Sequence, residues 1–223
     1  LFCQNPGNRQ VKLKAVVSFF NYNKLVRTSH IAYFKTADPK IYKLALTIKL
    51  EPIEKSQDHF YHLCREIVGQ QLSGKVARVI FSRFIDLFPN GVIDPKKVLK
   101  LSDKQIRACG MSSSKVAFIK DLAAKVVSGD VDLVRIDDLT DAEVVKHLTS
   151  VHGIGPWTAE MFLIFALGRP DVFSSGDLGL TKAVEKMYGV KSPSRKDLGK
   201  ISEKWSPYRS YASRLLWKSL DNE

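Results

Sequence analysis

Val151-His152-Gly153-Ile154-Gly155-Pro156-Trp157-Thr158-Ala159-Glu160 sets two glycines and a proline between two apolar, helix-like segments. Before it, Thr140-Asp141-Ala142-Glu143 has the form of a capping box, in which Thr140 caps a helix and Glu143 reaches back to the cap. The helix so begun carries Val144, Val145 and Leu148 at helical spacing and must stop before the glycines. Gly153 and Gly155 permit backbone angles that a side chain would forbid, so a tight hairpin is expected there. Pro156 suits the first turn of a following helix, where its missing N–H is not needed. That second helix is expected to run through Thr158, Ala159, Met161, Phe162, Ile164 and Phe165 to about Gly168. The unbonded N–H groups of the turn and the positive helix start then point at one spot, which suits a phosphate anion. The alternative is packing alone, with Ile154 filling the gap between the helices.

Downstream lies Gly168-Arg169-Pro170-Asp171-Val172-Phe173-Ser174-Ser175-Gly176-Asp177-Leu178-Gly179, a polar loop that ends in an acid just before another helix. Following Gly176 and preceding Leu178, Asp177 reads equally as the N-cap of that helix and as a carboxylate held for chemistry.

Composition bounds the answer. At 223 residues and 44% hydrophobic, the chain can bury a full core as one compact unit or two small lobes. No apolar run approaches the length that spans a bilayer. A net charge of +12 fits a polyanionic partner, with an anionic membrane surface as the alternative. Cys3, Cys64 and Cys109 are odd in number and widely spaced, which suggests a reducing compartment and no disulfide framework.

Residues 1–37 differ from the rest: they hold Arg9, Lys12, Lys14, Lys24, Arg27 and Lys35, and no acid precedes Asp38. They are expected to be a basic leader, disordered or outside the fold; the short apolar run Val16-Val17-Ser18-Phe19-Phe20 lacks a convincing small-residue cleavage site. The globular unit is taken as residues 38–223. A helix is expected from about Asp58 to Gly69, and His59, His62 and Cys64 on it read as surface and core, since no second ligand cluster accompanies them. Next comes Gly69-Gln70-Gln71-Leu72-Ser73-Gly74-Lys75, then a helix with Val76, Val79, Ile80, Phe84 and Leu87 on one stripe. Ser102 opens a short helix ending at Gly110, and Ser112 to Ser114 open another that reaches about Gly129. Gly110-Met111-Ser112 with Lys115 following reads either as a backbone-contact turn or as a plain connection. After Asp177 come a helix near Leu180 to Tyr188, a turn rich in Lys, Ser and Arg, and a last helix opened by Ser206-Pro207-Tyr208-Arg209. No sheet of any size is indicated, so the fold class is mostly α.

An anion-binding hairpin, a short helix and then a placed carboxylate resembles the layout of the helix-hairpin-helix (HhH-GPD) DNA glycosylases. In detail it is similar to the DNA-3-methyladenine glycosylase II branch, over about Asp38 to Leu220. The resemblance implies a two-lobed helical fold with the active cleft between the lobes, and excision of alkylated purines such as 3-methyladenine and 7-methylguanine. It implies Asp177 as the catalytic residue and Trp157, Met161 and Tyr208 as the base pocket, each with core packing as the alternative reading. It implies DNA contacts from Gln71, Leu72, Ser73, Lys75, Gly153, Ile154 and Gly155, with Gln71 or Leu72 filling the hole left by an extruded base. Members that nick the strand place a lysine two residues after the second hairpin glycine; here Trp157 stands there, which implies release of the base without lyase activity. The relatives' four-cysteine iron–sulfur cluster cannot be built from three cysteines. No cofactor is expected beyond a structural sodium or potassium ion on the carbonyls of Thr149, Val151 and Ile154. Double-stranded DNA carrying alkylated bases is the expected partner of a monomer, inside a cell with DNA, in a prokaryotic cytoplasm or nucleoid or in a nucleus. The rival expectation is a catalytically silent relative that binds damaged or abasic DNA.

Overall fold

The computed structural model describes residues 29–53 and 55–221, and among these it contains twelve α-helices and no strand. The described residues divide into two compact units, one within Ile53–Ser174 and a second made of those up to Pro52 with those from Ser175 on.

The unit Ile53–Ser174 holds α3 (His59–Gly69), α4 (Gly74–Ile85), α5 (Pro95–Lys100), α6 (Asp103–Ala108), α7 (Ser113–Ser128), α8 (Asp141–Thr149) and α9 (Pro156–Phe165). Local chemistry sets most of the starts: Asp58, Ser73, Asp94, Ser102, Ser112 and Thr140 each cap a helix with a side-chain oxygen. The expected capping box at Thr140 is formed, with Glu143 returning to the Thr140 N–H at 2.8 Å. α3 packs against α4, α7 and α9, and α8 against α9. Its Leu63, Cys64, Ile67 and Val68 are fully buried, as are Ile119, Leu122, Leu148 and Phe162 from its neighbours and the helices beyond. Each such large side chain contributes about 1.5–3 kcal/mol by leaving water. Burial pushes the Cys64 thiol above its ordinary range, with Asp58 adding to it. His59 and His62 stand edge-on to Phe162, and among the described residues no three His, Cys, Asp or Glu side chains gather as a metal site would require.

Two expectations need correction in this unit. The apolar stripe of α4 is not one core face: its Val76 and Val79 are 45% and 47% exposed, while its Phe84 is buried together with Phe81 from outside the stripe. Helical spacing alone cannot tell which of two apolar arcs meets a neighbour. α9 also stops earlier than expected, at Phe165, because the Phe162 carbonyl takes both the Ala166 and Leu167 N–H groups.

The other unit holds α1 (residues 29–37), α2 (Pro39–Thr47), α10 (Leu178–Tyr188), α11 (Arg195–Glu203) and α12 (Arg209–Asp221). α12 packs on α10 and α2, over a core that includes Phe34, Ile41, Leu180, Val184, Trp205 and Leu216. Residues 29–37, assigned above to the leader, are helical here and Phe34 is fully buried, so the fold reaches back across the expected boundary at 38. The rest of the expected leader, residues 1–28, lies outside the described residues. α11 falls partly in the stretch read as a turn; Ser194 and Asp197 open it with a capping box.

Asp38 joins the sequence-distant parts of this unit. Its Oδ1 caps α2 by accepting from the Lys40 and Ile41 N–H groups. Its Oδ2 accepts from the Tyr188 hydroxyl, from Trp205 Nε1–H at 2.8 Å and from Lys204 Nζ at 2.9 Å. Burial alone would raise the Asp38 pKa, but the three donors and the lysine charge outweigh it and hold the carboxyl below its usual value. α10, which begins immediately after Asp177, is thus fastened at its far end through Tyr188.

Candidate functional site

The hairpin between α8 and α9 is formed as expected, by unequal contributions from its two glycines. Gly153 has φ +86, and a Cβ there would lie 2.2 Å from the Phe118 ring, so only glycine fits. Gly155 has φ −91 and ψ 174, with nothing within 4 Å of where a Cβ would be. Its conformation is open to any residue, which corrects the expectation of special backbone angles there.

The N–H groups of the turn divide in the same uneven way. His152 N–H donates to Asp121 Oδ2 at 2.7 Å, and Ile154 N–H donates to the Val151 carbonyl at 3.1 Å. Ile154 is 4% exposed, so its side chain fills the gap between the helices. Among the described residues no acceptor is recorded for the N–H groups of Gly153 and Gly155. Each of the other helices from α2 to α11 carries a capping side chain, whereas α9 has Gly155 and none. The start of α9 therefore has no side-chain cap, and its positive dipole end with the Gly153 and Gly155 N–H groups is an arrangement suited to an anion.

The Gln70-Gln71 turn sits in the same unit and is tied to the hairpin. Gln70 Nε2 donates to the Gly153 carbonyl at 2.9 Å and reaches Thr158 Oγ1 at 3.5 Å. Gln71, Leu72, Ser73 and Lys75 are all exposed, Leu72 by 38%. The Ser73 hydroxyl caps α4 through the Val76 N–H. Gln70, which the sequence did not single out, is the residue of this turn that the fold employs internally. Lys115 is a second departure: its Nζ donates to the carbonyls of Val68 and Gln70, at 2.7 and 2.8 Å, and is committed to the protein.

Asp177 is 8% exposed and caps α10: Oδ1 accepts from the Leu180 N–H at 2.7 Å and from Trp217 Nε1–H at 2.9 Å. Gly179 makes the indole's approach possible, since a Cβ there would lie 3.1 Å from both Asp177 Oδ1 and Trp217 Cδ1. Sequence reading saw Trp217 only as core. A glycine at the second position of a helix that opens with an acid was the available signal.

Of the expected pocket residues, Trp157 is 43% exposed on the first turn of α9, and Met161 is buried one turn further on. Tyr208 belongs to the other unit, in an aromatic cluster with Tyr33, Phe34 and Tyr211 whose ring centroids lie 5.4–6.4 Å away. The expected site residues are thus shared between the two units: hairpin, turn, Trp157 and Met161 on one, Asp177 and Tyr208 on the other.

The family model described as HhH-GPD superfamily base excision DNA repair protein matches residues 64–207. DNA-3-methyladenine glycosylase 1 of Schizosaccharomyces pombe is 33% identical over 168 residues, which cover 74% of each chain. A putative DNA-3-methyladenine glycosylase of Bacillus subtilis is 32% identical over 70% of this chain and 56% of its own length. Among solved structures, an S. pombe 3-methyladenine DNA glycosylase in complex with abasic DNA superposes with a TM-score of 0.77 at 29% identity, covering 86% of this chain and 97% of that one. The matched span holds the glutamine turn, the uncapped hairpin and Asp177, and the chain belongs to the HhH-GPD superfamily of base excision DNA repair proteins.

Proposed function

We propose that this protein is a monofunctional DNA N-glycosylase that removes alkylated purines in base excision repair and leaves an abasic site. The observation that carries the reading is Asp177, a carboxylate held by two N–H donors on Oδ1, in a chain whose relatives are named for 3-methyladenine release. The scissile bond of a duplex nucleotide is hidden in the stack, so the nucleotide is first rotated out. The Gly153 and Gly155 amides hold a backbone phosphate meanwhile, and Gln71 or Leu72 fills the hole. A purine alkylated at N3 or N7 already carries positive charge and leaves with the electron pair of the C1′–N bond, with no strong general acid needed. Asp177 stabilises the cationic sugar that results. Water then adds its oxygen to C1′ and gives up a proton. Trp157 offers an electron-rich face to the cationic base, with Met161 one turn further along α9. The residue at 157 being tryptophan, no amine stands where a Schiff base would form, and the strand stays intact.

A structural sodium or potassium ion on the hairpin carbonyls fits the donor set. Among the described residues no donor is recorded for the carbonyls of Thr149 and Ile154, and Val151 gives one lone pair to Ile154 N–H. The protein is taken to act as a monomer wherever cellular DNA lies; no described helix is long and apolar enough to cross a membrane.

The test is release of 3-methyladenine and 7-methylguanine from methylated duplex DNA, with borohydride present in a parallel sample. Free base with an unbroken strand and no trapped adduct is the expected result. A trapped adduct would mean that another amine, such as Lys182, does the chemistry of a lyase. No release, with preferred binding to abasic duplex, would leave a silent binder. Binding in sodium or potassium salts against a tetramethylammonium salt reads the ion.

A further inference from the structure

The segment Gly69-Gln70-Gln71-Leu72 closes with the Leu72 N–H donating to the Gly69 carbonyl at 3.1 Å. Gln70 has φ −51 and ψ 129, and Gln71 has φ +57. This is the pattern of a type II turn, whose third position has positive φ and is ordinarily glycine. Here a glutamine occupies it, with its side chain exposed and without a recorded hydrogen bond among the described residues. A left-handed non-glycine residue is strained, and such strain persists only where the surroundings enforce it.

The enforcing contacts are visible. In a type II turn the central peptide is flipped relative to type I, and that peptide's carbonyl is Gln70 C=O. The Lys115 ammonium holds this oxygen at 2.8 Å while also holding Val68 C=O at the end of α3. Gln70's own side chain anchors the opposite side of the turn to the Gly153 carbonyl. Burial draws the Lys115 pKa below its ordinary value, as befits an ammonium turned into the protein.

We propose that Lys115 is a positioning residue that keeps the turn's central peptide flipped, so that Gln71 rather than Leu72 is the side chain presented to the gap in the DNA stack. The proposal rests on the DNA-binding reading above and extends it to a residue outside the contact surface. Without the ammonium, the central peptide is free to relax to the unstrained type I geometry, which aims the Gln71 side chain elsewhere.

The experiment measures the affinity of the full chain for a duplex carrying a tetrahydrofuran abasic analogue and for the same duplex intact. Phosphate contacts are common to both, so their ratio isolates gap filling. Lys115→Met and Gln71→Gly are each expected to lower the ratio about five- to thirty-fold, the range for losing one well-placed interface side chain. Because both act through one side chain, adding Lys115→Met to Gln71→Gly should lower it no further. Gln71→Gly should also melt no lower than the parent, since glycine relieves the turn. An additive double variant, or a Lys115→Met variant that weakens both duplexes equally, overturns the clamp while leaving the glycosylase reading intact. A Leu72→Ala variant that alone abolishes the ratio, with Gln71→Gly silent, overturns the choice of Gln71. A wild-type protein that binds both duplexes equally overturns gap filling, and one that binds neither overturns the DNA reading beneath it.

Discussion

Asp177 caps α10 with the same oxygen that receives the Trp217 indole, so the catalytic role proposed for it would share one side chain with a helix-capping role. Asparagine caps about as well as aspartate, so Asp177→Asn should melt within about 1 kcal/mol of the parent. Base release should nevertheless fall by on the order of 10²–10⁴-fold, the range for losing a positioned charge, with abasic-duplex affinity kept or improved. Single-turnover release beside a thermal melt reads both; unchanged release at unchanged stability would leave Asp177 as a cap alone. The hairpin glycines give a second pair of opposites. Gly153→Ala meets the Phe118 ring at positive φ and should cost about 1–3 kcal/mol of stability. Gly155→Asp meets nothing, and it supplies the missing cap of α9, so stability should hold or rise. Its charge would stand where a phosphate is proposed to bind, so duplex affinity should fall at every sequence. A Gly155→Asp protein that binds DNA normally would remove the anion site.

At the scale of elements, what was legible was local. Thr140 with Glu143, Ser102 with Gln105 and Ser112 announce their helices because a cap is settled within four residues. The order hairpin, helix, acid was legible for the same reason, and it sufficed to identify the fold. What depended on neighbours was not. Which arc of α4 faces the core is decided by α3: of the expected stripe Phe84 is buried, with Phe81 from outside it, while Val76 and Val79 stay exposed. α11 was hidden because its sequence is polar on most faces, with Leu198 and Ser202 as its buried residues. Within the candidate site, the hairpin and the place of Asp177 at the start of its helix were readable from spacing. The partners that orient them, Gln70 for Gly153 and Trp217 for Asp177, lie 83 and 40 residues away along the chain and carry no motif. The turn before Lys115 stayed open between a backbone contact and a plain connection, and only the distances from its ammonium to Val68 and Gln70 show it turned inward.

At the scale of the whole chain, the unit bearing Asp177 is assembled from two stretches separated by the entire other unit. Asp38 holds those stretches together: it caps α2 on one side and gathers Tyr188, Trp205 and Lys204 on the other. Its carboxyl is held below its usual pKa, because the hydrogen bonds and the Lys204 charge outweigh the cost of burial. A lowered folded-state pKa contributes stability above the unfolded value, near 3.9, and that contribution is lost as pH falls through the folded value. Asp38→Asn keeps an acceptor but not the charge, and the half-exposed Lys204 limits the loss, so about 1–3 kcal/mol at pH 7 is expected. The difference in melting temperature between parent and variant should be steady from pH 7 to about 5 and should shrink below about 4, where the parent's own carboxylate takes up its proton. Because Tyr188 ends the helix that Asp177 begins, the neutral-pH variant should also release base more slowly at temperatures well below its melt. A gap between parent and variant that stays constant down to pH 3 would mean that the Asp38 cluster is held by shape and cap geometry, with the charge contributing nothing.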